Sequence, residues 1–157
     1  MSDPEILVCY DGSDDSKQAI ARAARLLPGR AAIVLHVWEP LKEVASVPPV
    51  PALYGMLEAG LAEMDEAGEE ISQKTAAEGA ALAAAAGLDA EPLSVQTPGR
   101  AWRNILRLAR EHDVKAIVIG QRGVGRAERV LMGSVSSAVV NHADRPVLVV
   151  PATASGG

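Results

Sequence analysis

The chain has 157 residues, 48 % of them hydrophobic and 22 % charged, which suits one domain with a single core. A formal charge of −5 and a pI near 5.2 argue against general nucleic-acid binding, which favours a basic stripe. The single cysteine, Cys9, excludes an internal disulfide and a cysteine metal cluster, and the absence of phenylalanine leaves the core to Leu, Ile, Val, Ala and Met.

The start, MSDPEILVCYDG, has no basic segment and no long apolar stretch, so it does not read as a signal peptide. No run approaches 18 apolar residues, so no membrane insertion is expected. The expectation is a soluble, cytoplasmic, single-domain chain over 1–157, ordered over about 4–151, with a flexible tail, ATASGG.

Glu5–Tyr10 reads as a first strand, apolar on both faces and hence buried. Asp11-Gly12-Ser13 ends it, and Asp14, Asp15 and Ser16 offer caps for a helix over about Ser16–Leu27, stopped by Pro28-Gly29. Ala31–Trp38 is a second strand. Glu39–Gly55 carries prolines at 40, 48, 49 and 51 and reads as a loop, either a surface excursion or a lid. Met56–Ala86 reads as one long helix, with Leu57, Leu61, Met64, Ile71, Thr75 and Leu82 keeping one face. Gly68 and Gly79 invite a break, and Gly87 suits its end.

Glu91–Gln96 is a short third strand. Thr97-Pro98-Gly99 turns into a helix over Arg100–His112, with Trp102, Ile105, Leu106 and Ala109 on one face. Val114–Ile119 is a fourth strand, Ser134–His142 a last helix, and Pro146–Pro151 a fifth strand. Five strands alternating with helices specify an α/β fold, a mostly parallel sheet with helices on both faces. Ligands of such sheets bind past the carboxyl ends of the strands. Asp11-Gly12-Ser13, Val37-Trp38 and Gly120 all lie at such ends.

Between the fourth strand and the last helix lie glycines 120, 123, 125 and 133 and arginines 122, 126 and 129. Glycines let the backbone approach a ligand closely. Amide groups of such a loop, and of the helix start behind it, point at an anion. Arginines add fork-shaped donors. The segment therefore reads as a phosphate cradle. It is not a Walker A loop, because none of the lysines at 17, 42, 74 and 115 follows a glycine. Nor is it the dinucleotide fingerprint, because Gly123-Val-Gly125 is followed by Arg-Ala-Glu128 after a late strand.

What remains is Gly120, two residues, Gly123, nine residues, then Gly133-Ser134. That spacing resembles the nucleotide-binding motif of the universal stress protein family, in its ATP-binding branch. Asp11-Gly12-Ser13, His36-Val37 and the ending Pro146-Val-Leu-Val-Val150 are similar to further family features, and the resemblance covers about residues 4–151. It implies a Rossmann-like, HUP-type sheet of strand order 3-2-1-4-5 and a homodimer formed through the last strand.

The resemblance also implies a site. Asp11, beside Gly12 and Ser13, would bond adenine or ribose, and the Val37 backbone the adenine edge. Gly120 and Gly123 would let the chain pass close to ribose and phosphate. Gly133, Ser134, Val135 and Ser136 would hold the phosphates by backbone amides and hydroxyls. Arg122 matches a position often basic in the family. The ligand would be an adenine nucleotide, ATP, with Mg²⁺ carried by phosphate oxygens and water.

Other residues read more plainly. His36 suits a satisfied core histidine, Trp38 and Trp102 suit packing, and His112 and His142 sit near helix ends that favour an imidazolium. No residue is placed to activate water, so enzymatic turnover is not the expected role. A cyclic AMP-binding protein and a nucleotide-free dimeric interaction module are the alternatives to an ATP-binding stress-response module.

Overall fold

The structure is a computed structural model that describes residues 3–40, 51–122 and 132–151, with residues 51–54 and 56–57 described by backbone alone. The elements run β1 (Ile6–Cys9), α1 (Asp14–Leu26), β2 (Ala31–Trp38), α2 (Pro51–Ala85), β3 (Asp89–Gln96), α3 (Ala101–Glu111), β4 (Ala116–Gly120), α4 (Ser134–His142) and β5 (Val147–Val150). The strands form one sheet in the order β3-β2-β1-β4-β5. Every pairing is parallel, with Leu7 opposite Ile33 and Ile117. The expected fold class and strand order hold, and the sheet is parallel throughout.

Alternation along each strand divides the core into two layers. Ile6, Val8, Ala32, Val34 and Val118 face α1 and α2. Leu7, Ile33, Leu35, Ile117 and Ile119 face α3 and α4. Leu7, Ile33 and Ile117 are wholly buried, each contributing about 1.5–3 kcal/mol of apolar transfer. The strand order reverses at β1, which lies between β2 and β4, and this opens a crevice at the carboxyl ends of the three strands.

Two boundaries move for local reasons. Helix α1 starts at Asp14, because Ser13 is its N-cap and accepts a bond from Ser16 N. Helix α2 starts at Pro51, so the last proline of the presumed loop is the first helical residue, where a missing N–H costs nothing. Residues 41–50 of that loop, and the tail after 151, lie outside the described residues.

The larger correction concerns which face of α2 is buried. Met64, Ile71 and Leu82, expected to face the core, are 56 %, 65 % and 38 % exposed. Among its described residues, Ser72, Ala76, Gly79, Ala80 and Ala83 are the buried ones. Gly68 and Gly79 do not break the helix; they are its contact points. An added Cβ at Gly68 would lie 3.2 Å from the Trp38 ring, and one at Gly79 2.6 Å from the Tyr10 ring. The helix lies so close to the sheet that only small residues fit beneath it. Size, not hydrophobicity, selects this face.

Arg145, in the short connection between α4 and β5, ties together distant segments. Its Nη1 donates to the carbonyls of Ala109 and Val114, both at 2.6 Å, and its Nε donates to Asp144 Oδ1. It thereby satisfies carbonyls at the end of α3 and in the α3–β4 connection.

Candidate functional site

The crevice holds a cavity of about 390 Å³, a size suited to a small-molecule ligand. Strand β1 supplies Cys9 and leads into Tyr10 and Asp11; β2 supplies Leu35, His36 and Val37; β4 supplies Ile119 and Gly120. Arg122 and the start of α4, Gly133 to Ser136, close one end, and Ala101 and Ile105 of α3 close the floor. Of the residues singled out from the sequence, Asp11, Val37, Gly120, Arg122, Gly133, Ser134, Val135 and Ser136 meet on these walls. Gly12 and Ser13 are not wall residues, and Gly123, Arg126 and Arg129 lie outside the described residues.

The turn after β1 is built by its own hydrogen bonds. Gly12 has φ +81°, a backbone region that disfavours side chains. It folds the chain so that Asp11 Oδ1 accepts from Ser13 N at 3.0 Å and from Ser13 Oγ at 2.5 Å. Ser13 Oγ in turn caps α1. Asp11 therefore joins two roles, the wall of the cavity and the fastening of a helix start.

The far end closes in the same way. The Gln121 carbonyl accepts from Gly133 N at 2.8 Å and from Ser136 Oγ at 2.8 Å. The ends of the intervening segment are thus pinned together, and the Ser136 hydroxyl, 3 % exposed as a residue, is engaged in that closure. Gly133 is the N-cap of α4 and makes no side-chain cap bond. The first turn of α4 therefore presents its amide groups and positive dipole end without a capping side chain.

Gly120 is required by a neighbour. A Cβ there would lie 3.1 Å from the Asp15 carbonyl carbon and oxygen, so its closest approach is to α1. That approach sets Arg122 beside the first turn of α1, where its Nε donates to Asp15 Oδ2 at 3.3 Å.

Three further wall residues carry chemistry that the sequence did not assign to a site. His36 Nδ1 donates to the Tyr10 carbonyl at 2.9 Å, so it is satisfied as expected while still lining the cavity. Tyr10 donates to Glu78 Oε1 at 2.7 Å; burial, that bond and the charges of Glu78 and Asp11 hold its phenol above the usual range. Cys9 is pushed up to about 12, first by burial and then by the Asp11 carboxylate. A signal for all three existed in the sequence, since each lies within two residues of a strand's carboxyl end.

The Cys9 thiol should accordingly be inert. Alkylation by iodoacetamide at pH 8 is expected to run at least about 100-fold slower in the folded protein than in denaturant, because the thiolate is the nucleophile. Its raised folded-state value means stability is fully present below the unfolded thiol's value of 9.0 and is lost as pH rises toward 12. Rapid alkylation of the native protein would contradict this environment.

Among the described residues, no group of three or more His, Cys, Asp or Glu could hold a metal ion. No helix among them is long and apolar enough to cross a membrane. The cavity is lined by the apolar Leu35, Val37, Ala101 and Ile105 on the side of β2 and α3, and by Arg122 and the amide-bearing start of α4 at the other end.

The sequence and the fold both have counterparts among known proteins. The model of the universal stress protein family matches residues 4–151. A universal stress protein of Thermus aquaticus, described by its place 3′ of a QAH/OAS sulfhydrylase, is 34 % identical over 147 residues, 92 % of this chain and 96 % of the relative. Universal stress protein YxiE of Bacillus subtilis is 30 % identical over 151 residues, 93 % of this chain and 97 % of the relative.

Among solved structures, the hypothetical protein MJ0577 superposes with a TM-score of 0.77 at 21 % identity, covering 99 % of this chain and all of the other. The universal stress protein of Archaeoglobus fulgidus in complex with dAMP has a TM-score of 0.59 at 22 % identity, covering 96 % and 99 %. A universal stress protein in complex with cAMP has the same TM-score and identity, covering 96 % and 98 %.

Proposed function

This chain belongs to the universal stress protein family, and from that premise we propose that it is a single-domain, ATP-binding stress-response or signalling module. One observation carries the reading. The cavity sits where the strand order reverses, and its far end is the first turn of α4, which has no side-chain cap and lies beside Arg122. A purine would lie along Val37, and its phosphates would run to Gly133, Ser134 and Val135. Asp11 would bond ribose or adenine, and Gly123 would complete the cradle. The dAMP and cAMP complexes of related folds support an adenine nucleotide as the ligand class.

Mg²⁺ would arrive with the phosphates rather than in a cage of carboxylates. A homodimer through β5 is part of the same proposal. β5 is an edge strand whose Val147, Leu148 and Val149 are only partly buried, and a two-fold partner would cover it. The module would act in the cytoplasm.

Calorimetric titration with ATP, ADP, AMP and cyclic AMP, with and without Mg²⁺, tests the reading. Micromolar ATP affinity, about −8 kcal/mol, that declines as phosphates are removed is the expected result. Preference for cyclic AMP, the ligand of one related fold, would make the cleft a cyclic-nucleotide site. No binding of any of the four would leave the dimer surface as the functional part.

A further inference from the structure

We propose that Asp15 limits how much phosphate charge the cleft accepts, by holding the cation that a phosphate chain would otherwise engage. The proposal rests on the nucleotide reading above and names a residue that sets its specificity.

Asp15 and Arg122 stand 107 residues apart in sequence and meet only in the fold. Their side chains are 16 % and 20 % exposed, whereas those of the surface pair Lys74–Glu70 are 74 % and 69 % exposed. Solvent therefore screens the Asp15–Arg122 pair much less. Arg122 lines the cavity, and its Cα lies 3.7 Å from where a Cβ of Gly133 would stand. The cation is thus rooted beside the start of α4, the end of the cleft that favours an anion.

Arg122 does not meet a phosphate chain unpartnered: the Asp15 carboxylate already stands against its guanidinium. A triphosphate must therefore break the Asp15 contact or lie beside a carboxylate, and like charges in a poorly screened cleft repel. A monophosphate carries less charge and meets less repulsion. The contact is a single bond from Nε at 3.3 Å, long enough to yield to a better anion. Asp15 thus discriminates by charge count, and its penalty grows with each phosphate.

The test is calorimetric titration of the full chain with adenosine, AMP and ATP in EDTA, comparing wild type with Asp15→Asn and Asp14→Asn. Asp14 lies in the same helical turn and is exposed, so its variant makes the same change in net charge away from the cleft. Asp15→Asn should tighten ATP about tenfold, which is about 1.4 kcal/mol, tighten AMP about threefold and leave adenosine unchanged. Asp14→Asn should change none of them by more than about twofold, being exposed and screened. In an Arg122→Gln background the gain from Asp15→Asn should shrink, because the pair is already broken.

Wild-type binding of ATP with an unchanged or weakened Asp15→Asn would overturn the proposal and leave the nucleotide reading standing. An equal shift for adenosine, or the same gain from Asp14→Asn, would also overturn it. Absence of binding by all the proteins would remove the nucleotide reading itself, and this proposal with it.

Discussion

Gly79→Ala is expected to destabilise the protein by about 1–2 kcal/mol, and Gly79→Leu by about 3 kcal/mol or more. The sign is the informative part. In an exposed helix, replacing glycine by alanine stabilises by up to about 1 kcal/mol, because the unfolded chain loses freedom. Here the new Cβ would stand 2.6 Å from Tyr10 Cδ1, 2.8 Å from Tyr10 Cγ and 2.8 Å from Val34 Cγ1. Neither neighbour can retreat. Tyr10 is 2 % exposed with its hydroxyl bonded to Glu78, and Val34 is wholly buried in the central sheet.

Thermal or urea unfolding would measure the effect, with a fall in Tm of about 2–8 °C for Gly79→Ala in a chain of this size. Gly60→Ala, on the same helix with nothing within 4 Å, should move stability the other way. Ile71→Gln, on the exposed face, should change it by less than about 0.5 kcal/mol. If Gly79→Ala stabilises the protein as Gly60→Ala does, the close seat of α2 on the sheet is wrong.

Gly133→Val is expected to leave the fold intact and to weaken nucleotide binding about a hundredfold or more, about 2.7 kcal/mol. Gly133 has φ −69°, which any residue adopts, so the backbone loses nothing. An added Cβ would lie 3.4 Å from the Gln121 carbonyl and 3.4 Å from Ser136 Oγ, tight but tolerable. The methyls beyond it would stand between Arg122 and the first turn of α4, where the proposed phosphates approach the amide groups. Unchanged melting together with lost ATP binding would support the cradle. Undiminished binding would mean that phosphate does not lie at α4 and would sink the proposed pose.

The two glycines show how far the amino-acid order carries. Contiguous apolar runs such as Ile6–Cys9 and Ala31–Trp38 announce buried parallel strands, because a strand covered on both faces needs no polar alternation. Gly29, Gly87 and Gly120 punctuate them, and the alternation with helices leaves one fold class. From this alone the cleft could be placed at Asp11, Val37 and Gly120, since strands that run in parallel share one carboxyl edge.

Other assignments needed the packed molecule. The buried face of α2 is one of them, because a pattern of large apolar residues says what prefers to leave water and not what fits beneath a helix. Ala76, Gly79, Ala80 and Ala83 line the contact because the helix must approach closely, a demand set by the sheet beneath it. The hydroxyls of Ser13 and Ser136 were legible as polar groups near a ligand; only their partners show that one caps α1 and the other closes the chain between Gln121 and Gly133. Arg145 stands in the short connection between α4 and β5, yet it binds the carbonyls of Ala109 and Val114 from 36 and 31 residues away. The meeting of Asp15 with Arg122 belongs to the same class. Local sequence determines which segments become strands and helices, because periodicity and turn chemistry act over a few residues. The tertiary structure decides which charges pair and which faces touch, because those depend on distances that no spacing along the chain encodes.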